Sequence, residues 1–185
     1  LGIKSKLYKK NFEITTLDPI TLHRNLQIIK NKKINNVILE ASSHGLKQSR
    51  LDHLRFNCSI FTNFSRDHLD YHKNYKDYLN SKLKLFKNLT KKNATVIYDN
   101  DLSISKILKK TCNVKKFKII TIGKKNSDLN INRISYFKDL QVVEFDYKKK
   151  KYSINLKLVG KLQVKNVLMA CLAAEKSGLK FSKII

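Results

Sequence analysis

Ionisable side chains crowd into one stretch of the sequence, residues 61–72, which directly follows an apolar run. Within this stretch lie Asp67, His68, Asp70 and His72. Residues 58–62 are typical of a buried strand, and residues 75–89 carry the apolar spacing of a helix. In open α/β sheets ligands bind outside the carboxyl ends of the strands. The stretch between this strand and this helix is therefore a candidate site for chemistry.

Glu40 stands at a similar place, directly after the apolar run Val37-Ile38-Leu39. That run predicts a short strand covered on both faces. If the two predicted strands are neighbours, the Glu40 carboxylate and an imidazole such as His68 can converge. Oxygen ligands with one imidazole suit Mg²⁺ or Mn²⁺. The alternative is a capping or ion-pair role for Glu40.

The histidines and aspartates of residues 61–72 are also consistent with roles other than Mg²⁺ binding. His68 and His72 have the i, i+4 spacing of some zinc sites, but the glutamate that follows the first histidine in a metalloprotease helix is missing. Asp67 and Asp70 could equally offset the dipole of the following helix. The residue types alone leave these alternatives open.

Polar donors cluster between the two predicted strands. Ser42 and Ser43 precede His44, but no glycine forms the elbow that a serine nucleophile needs, which favours binding of a polar substrate. Gln48 and Arg50 follow, and arginine suits carboxylate or phosphate groups. The sequence contains no glycine-rich phosphate loop.

The composition limits the classes of protein to which this chain can belong. The 185 residues carry a formal charge of +25, but the lysines are scattered rather than gathered on one stripe, which disfavours a nucleic-acid site. The three cysteines lie far apart in apolar surroundings and predict reduced thiols in a cytoplasmic protein. No apolar run predicts a membrane span, and no signal peptide is recognisable.

The order of the predicted elements indicates an α/β fold. Helix and strand patterns alternate over residues 20–123, beginning with Asp18-Pro19 as a helix start. Residues 131–137, 141–147 and 152–159 then predict successive antiparallel strands, and residues 162–177 a final helix. We therefore expect a doubly wound, mostly parallel sheet flanked by helices, with a smaller antiparallel section near residues 130–160.

These residues resemble the central ATPase domain of the Mur ligases, and within that family the UDP-N-acetylmuramoyl-tripeptide synthetases. The resemblance is carried by Glu-Ala-Ser-Ser-His-Gly-Leu at residues 40–46, by Gln48 and Arg50, by Phe-Thr-Asn-Phe-Ser-Arg-Asp-His-Leu-Asp-Tyr-His at residues 61–72, and by Tyr78 and Lys82. Thr15-Thr16 and residues 160–174 extend it over essentially the whole chain.

The resemblance implies an ATP-dependent ligase that adds the third amino acid, meso-diaminopimelate or lysine, to UDP-MurNAc-L-Ala-D-Glu through an acyl phosphate. It implies ATP and Mg²⁺ as cofactors, a cytoplasmic location, and no nucleic-acid or membrane partner. Composition alone predicts Lys82 to be a surface lysine, whereas the resemblance implies a catalytic lysine carbamate. The implied roles are these: metal ligands Glu40, His68 and Lys82, with His68 and Lys82 catalytic; substrate contacts Thr15, Thr16, Ser42, Gln48 and Arg50; and a nucleotide contact, Asn166.

The sequence also departs from the family pattern. Ile14 stands where the family usually has asparagine, and Leu162-Gln163 replaces the usual Phe-Asn. The phosphate loop is expected shortly before Leu1. We therefore expect residues 1–185 to be a fragment of the central domain, without the phosphate loop and the N- and C-terminal domains, and inactive alone. Folylpolyglutamate synthetase and a basic nucleic-acid-binding domain are the alternatives.

Overall fold

The computed structural model describes residues 2–65 and 67–185, and these divide into two compact units. The first unit contains the described residues up to 55 and from 67 to 89, and the second contains residues 56–65 and 90–185. No helix in the described part of the chain is long and apolar enough to cross a membrane.

The first unit is mainly helical. Its elements are the antiparallel hairpin β1 (Gly2–Lys4) and β2 (Lys9–Asn11), then α1 (Pro19–Asn31), α2 (Ser43–Lys47) and α3 (Tyr75–Lys84), which continues into a π-helical turn at Leu85–Leu89. Asp18 caps α1 as its sequence predicts, because its carboxylate accepts a hydrogen bond from the backbone N–H of Thr21 at 2.9 Å.

The second unit is built on one six-stranded sheet. The strands are β3 (Phe56–Phe61), β4 (Thr90–Asp99), β5 (Lys118–Gly123), β6 (Leu129–Tyr136), β7 (Gln141–Tyr147) and β8 (Lys150–Leu156), and they lie side by side in this order. β3 to β6 are parallel, whereas β6, β7 and β8 are antiparallel. The expectation of a mostly parallel sheet with an antiparallel section near residues 130–160 is confirmed.

Helices cover both faces of this sheet. Residues 94–99 of β4 are all buried, and neighbouring side chains of a strand point to opposite faces. Ile97 packs in a core cluster with α5 (Lys161–Lys176). Burial raises the pKa of the next residue, Tyr98, to about 12, with a smaller contribution from the Cys112 thiol of α4 (Ser105–Val114). The chain ends after a 3₁₀ turn at Phe181–Lys183.

The prediction of a buried strand at residues 37–39 is wrong. Residues 34–42 have no regular secondary structure, and the side chain of Ile38 is fully exposed. Apolar, β-branched residues indicate a preference for burial, but a strand also needs a hydrogen-bonded neighbour. In the first unit β1 and β2 pair with each other, and no strand in the described residues pairs with this segment.

Candidate active site

Thr16 anchors the start of α2 in the first unit. Its hydroxyl donates to the Glu40 carbonyl at 3.0 Å, accepts from the Ser42 backbone N–H at 3.1 Å and lies 3.0 Å from Ser42 Oγ. Ser42 Oγ in turn accepts from the Gly45 N–H at 3.1 Å and so caps α2. These bonds, rather than a strand, fix the backbone at Glu40.

Arg50 and Gln48 extend this network. The Arg50 guanidinium donates from Nη1 to the Thr16 carbonyl and from Nε to Gln48 Oε1, both at 2.7 Å. Gln48 Nε2 donates to the Tyr71 hydroxyl at 2.9 Å. Of the substrate contacts implied by the resemblance, Thr16, Ser42, Gln48 and Arg50 are therefore joined by hydrogen bonds. The remaining one, Thr15, lines a cavity of about 350 Å³ together with Glu40.

Three histidines and a tyrosine form a ring cluster beside this network. The His44 ring lies 4.1 Å from that of Tyr71, 5.0 Å from that of His68 and 5.6 Å from that of His72, measured between centroids. Burial lowers the pKa of His44, and the nearby His68 lowers it further. His44 is therefore more readily neutral than an ordinary histidine.

His72 joins α2 to α3 from a buried position. Its Nε2 lies 3.0 Å from Ser43 Oγ at the start of α2, and its Nδ1 lies 3.5 Å from Asp77 Oδ2 in the first turn of α3. Asp77 also pairs with Lys47, at the end of α2, at 2.5 Å. The hydrogen bond from Lys47 holds the pKa of Asp77 below its usual value. Both ends of α2 are thus tied to α3.

Lys82 projects from α3 into half-buried surroundings. Its Nζ lies 5.4 Å from the centroid of the Tyr78 ring. Burial lowers the pKa of Lys82, and the nearby carboxylates of Asp67 and Glu40 oppose that shift without cancelling it. A lysine with a lowered pKa holds a larger neutral fraction, and the neutral amine is the form that attacks CO₂.

His68 lies near the same tyrosine. Its ring centroid lies 5.9 Å from that of Tyr78, and its Nε2 lies 3.7 Å from Asp67 Oδ2. The backbone of His68 is left-handed, with φ of 56°, and its N–H donates to Asp67 Oδ1 at 2.8 Å. Arg66, which precedes this pair, lies outside the described residues.

A carbamate on Lys82 would improve the fit of the nearby side chains to a divalent cation. Among residues 2–65 and 67–185, no three His, Cys, Asp or Glu side chains are arranged to hold a metal ion. A carbamate on Lys82 would add an anion beside Asp67 and Glu40, the two carboxylates that affect its pKa. Mg²⁺ commonly takes one or two carboxylates and completes its shell with phosphate oxygens and water. The assignment of Glu40, His68 and Lys82 as metal ligands stays a prediction.

Sequence reasoning missed a charged cluster in the second unit. Asp99, at the end of β4, is buried and pairs with Lys165 Nζ at 2.6 Å, and Asp101 pairs with the same nitrogen at 2.9 Å. A carboxylate directly after an apolar strand was the signal used for Glu40, and it applies equally to Asp99. Asn166, the predicted nucleotide contact, follows Lys165 on α5 and is exposed.

The chain is similar to known ligases. The model of the family described as the Mur ligase middle domain matches residues 2–174. A UDP-N-acetylmuramoyl-L-alanyl-D-glutamate–2,6-diaminopimelate ligase of Rickettsia montanensis is 36% identical over 94% of this chain and 36% of its own length. The ligase of the same name from Brucella melitensis is 37% identical over 96% of this chain and 36% of its own length.

The chain is also similar to solved structures of ligases. One solved structure, of a ligase of the same name, is 25% identical to this chain and has a TM-score of 0.85. The match covers the whole of this chain and 39% of the chain in that structure. The MurF ligase of Thermotoga maritima, solved with ADP, is 14% identical with a TM-score of 0.62, over 76% of this chain and 31% of its own, and shows a shared fold. The chain spans little more than a third of the length of the curated relatives.

Proposed function

This chain belongs to the Mur ligase family, and on that premise we propose that it is the middle domain of an ATP-dependent ligase. The ligase joins 2,6-diaminopimelate to UDP-N-acetylmuramoyl-L-alanyl-D-glutamate, the substrates in the names of the relatives in Rickettsia and Brucella. The chain is then a fragment that lacks the phosphate loop and the flanking domains. A cytoplasmic location goes with the proposal, since ATP is a cytoplasmic substrate.

One observation carries this proposal: the hydrogen-bonded network of Thr16, Ser42, Gln48 and Arg50. The family resemblance assigns all four to substrate contacts, and their positions in the sequence are up to 34 residues apart. A guanidinium and a side-chain amide held at fixed positions suit the phosphate, carboxylate and amide groups of a nucleotide-linked peptide. The network therefore supports a substrate site in the first unit.

The reaction proceeds through an acyl phosphate. A carboxylate oxygen of the D-glutamate residue attacks the γ-phosphorus of ATP, an O–P bond forms, and ADP leaves. The amine of the incoming amino acid then attacks the carbonyl carbon, loses a proton, and expels inorganic phosphate. The first-unit network holds the dipeptide end still, so that much of the entropic cost of bringing the reactants together is met on binding.

Lys82 supplies a negatively charged metal ligand in this scheme. The lysine cation first loses a proton, and the neutral amine then attacks CO₂; a C–N bond forms, a second proton is lost, and the product is a carbamate anion. Glu40, His68 and the carbamate would hold Mg²⁺, which when bound offsets negative charge on the γ-phosphate. Asn166 is proposed to contact the nucleotide.

Replacement of Arg50 tests the substrate site. In the full-length enzyme that carries this chain, Arg50→Lys removes the two-pronged contact to Thr16 and Gln48 but keeps the positive charge. We expect the KM for the UDP-linked dipeptide to rise about 10-fold, with the KM for ATP little changed. Arg55→Lys is the matched control, because Arg55 is bonded to the carbonyl of the preceding residue.

The outcomes separate the alternatives. An equal rise in KM for both variants, or none in either, contradicts a substrate role for Arg50. Turnover of folate and glutamate in place of the UDP-linked dipeptide contradicts the proposed substrate class itself.

A further inference from the structure

We propose that Tyr71 is a positioning residue, which fixes the side-chain amide of Gln48 and through it the Arg50 guanidinium for substrate binding. The inference rests on the proposed function, since it assumes that Gln48 and Arg50 contact the UDP-linked dipeptide. The resemblance assigns no role to Tyr71.

The amide of Gln48 has one orientation that satisfies both of its neighbours. Its Oε1 accepts from Arg50 Nε at 2.7 Å, and its Nε2 donates to the Tyr71 hydroxyl at 2.9 Å. A flipped amide would set an N–H against a guanidinium N–H, and arginine has no acceptor to offer. The bond from Arg50 therefore sets which end of the amide faces the guanidinium, and the Tyr71 hydroxyl holds the opposite end in place.

The Tyr71 hydroxyl is itself held in place by its ring. The ring lies 4.1 Å from the centroid of His44 and 5.1 Å from that of the buried His72, and Lys47 Nζ lies 5.2 Å from its centroid. The backbone N–H groups of Tyr71 and His72 both bond the carbonyl of His68, at 3.2 and 3.0 Å, so the segment is a closed turn. A tyrosine packed in this way presents its oxygen at a defined point.

The link continues from Gln48 to the rest of the network. Gln48 is exposed, and a free glutamine side chain would sample several rotamers. When the Tyr71 hydroxyl holds Gln48 Nε2, Gln48 Oε1 keeps its hydrogen bond from Arg50 Nε. The guanidinium is then placed so that Arg50 Nη1 donates to the Thr16 carbonyl at 2.7 Å. The ring of Tyr71 contacts α2 directly, whereas its hydroxyl is joined to the substrate network by the hydrogen bond to Gln48, so the effect of the hydroxyl passes through that residue.

A double-mutant cycle tests this inference in the full-length enzyme. Tyr71→Phe removes only the hydroxyl, and Gln48→Ala removes the residue through which it acts. We expect Tyr71→Phe to raise the KM for UDP-MurNAc-L-Ala-D-Glu about 5- to 10-fold, with kcat and the KM for ATP within about 2-fold. In the Gln48→Ala background the same change should alter that KM by less than about 2-fold. Tyr136→Phe, an exposed tyrosine of β6, is the control.

Each outcome decides the matter. A rise in KM for Tyr71→Phe that vanishes in the Gln48→Ala background supports the inference. An equal rise in both backgrounds, or no rise in the wild-type background, overturns it. A loss of kcat with a lowered melting temperature also overturns it, because the hydroxyl would then support folding. If the wild-type enzyme does not use the UDP-linked dipeptide at all, the proposed function fails instead.

Discussion

The backbone of Gly45 lies against the side chain of Thr16, so closely that a Cβ added at Gly45 would stand 2.5 Å from Thr16 Cγ2 and 2.8 Å from Thr16 Cβ. Real Cβ atoms do not approach other carbons this closely. Both residues are buried. The Thr16 hydroxyl also donates a hydrogen bond to the Glu40 carbonyl and accepts one from the Ser42 N–H. The absence of a side chain at residue 45 therefore lets α2 close onto the predicted substrate network.

Gly45→Ala is expected to disturb this network. In an exposed helix the change would be favourable by about 0.5–1 kcal/mol. Here we expect a loss of about 1–3 kcal/mol in the free energy of unfolding, because the methyl group displaces Thr16. Denaturant titration of the full-length enzyme measures it. Thr16→Ser removes Cγ2 and should recover part of the loss in the double variant. Unchanged or increased stability of Gly45→Ala would show that the contact is not strained.

Lys82→Ala removes the residue proposed to form the carbamate. We expect turnover to fall at least about 100-fold, because the anion that balances the metal charge is lost. Added bicarbonate should not restore activity, since no amine remains to react. Lys76→Ala, an exposed lysine of the same helix, is the control and should retain activity. Near-normal turnover of Lys82→Ala would rule out the carbamate.

The buried His72 predicts a pH dependence of stability. Burial lowers its pKa below the ordinary value of 6.5, and Lys47 lowers it further, while Asp77 opposes the shift. The unfolded chain therefore binds the proton more readily, so this contribution is present above pH 6.5 and is lost as the pH falls through the lowered folded pKa. His44 adds a contribution of the same sign.

We expect His72→Asn to flatten the loss of unfolding free energy between pH 7 and pH 5. The measurement is chemical denaturation at several pH values. His53→Asn, at an exposed histidine, should keep the wild-type slope. Identical slopes for wild type and His72→Asn would show that His72 does not resist protonation in the folded state.

The Lys165 cluster predicts a stability effect in the second unit. Burial lowers the pKa of Lys165, but its hydrogen bonds to Asp99 and Asp101 outweigh burial and raise it. Lys165→Met leaves the buried Asp99 carboxylate without its cation, and we expect a loss of about 3 kcal/mol in unfolding free energy. Adding Asp99→Asn removes the stranded charge and should recover much of it. Equal stability of Lys165→Met and wild type would show that the pair contributes nothing.

Local signals in the sequence predicted much of the fold. Asp18 before Pro19 marks a helix start through one capping bond, and this information is contained in four neighbouring residues. The alternating pattern of β7 and β8 likewise sets the face of each side chain. The apolar run at residues 37–39 failed, because its structure depends on a hydrogen-bonded partner that local composition does not specify.

For the candidate site, too, the sequence indicated residue types but not the contacts between distant residues. Side-chain types identified Arg50 and Gln48 as donors, and the family resemblance supplied Lys82. The contacts of Thr16 with Ser42, and of Lys165 with Asp99, join residues 26 and 66 positions apart. Those pairings follow from how the chain closes in three dimensions, and spacing along the sequence carries no signal for them.

Ligation by the full-length enzyme tests the central claim most directly. The purified enzyme is given MgATP, UDP-MurNAc-L-Ala-D-Glu and meso-diaminopimelate, and ADP and the product mass are measured. We expect ADP and the UDP-linked tripeptide in equal amounts, with no ADP when the dipeptide is omitted and no sustained ADP formation when the amino acid is omitted, because the acyl phosphate then has no amine to react with. No tripeptide with meso-diaminopimelate or with lysine, or ADP formed only with folate and glutamate, would contradict the account.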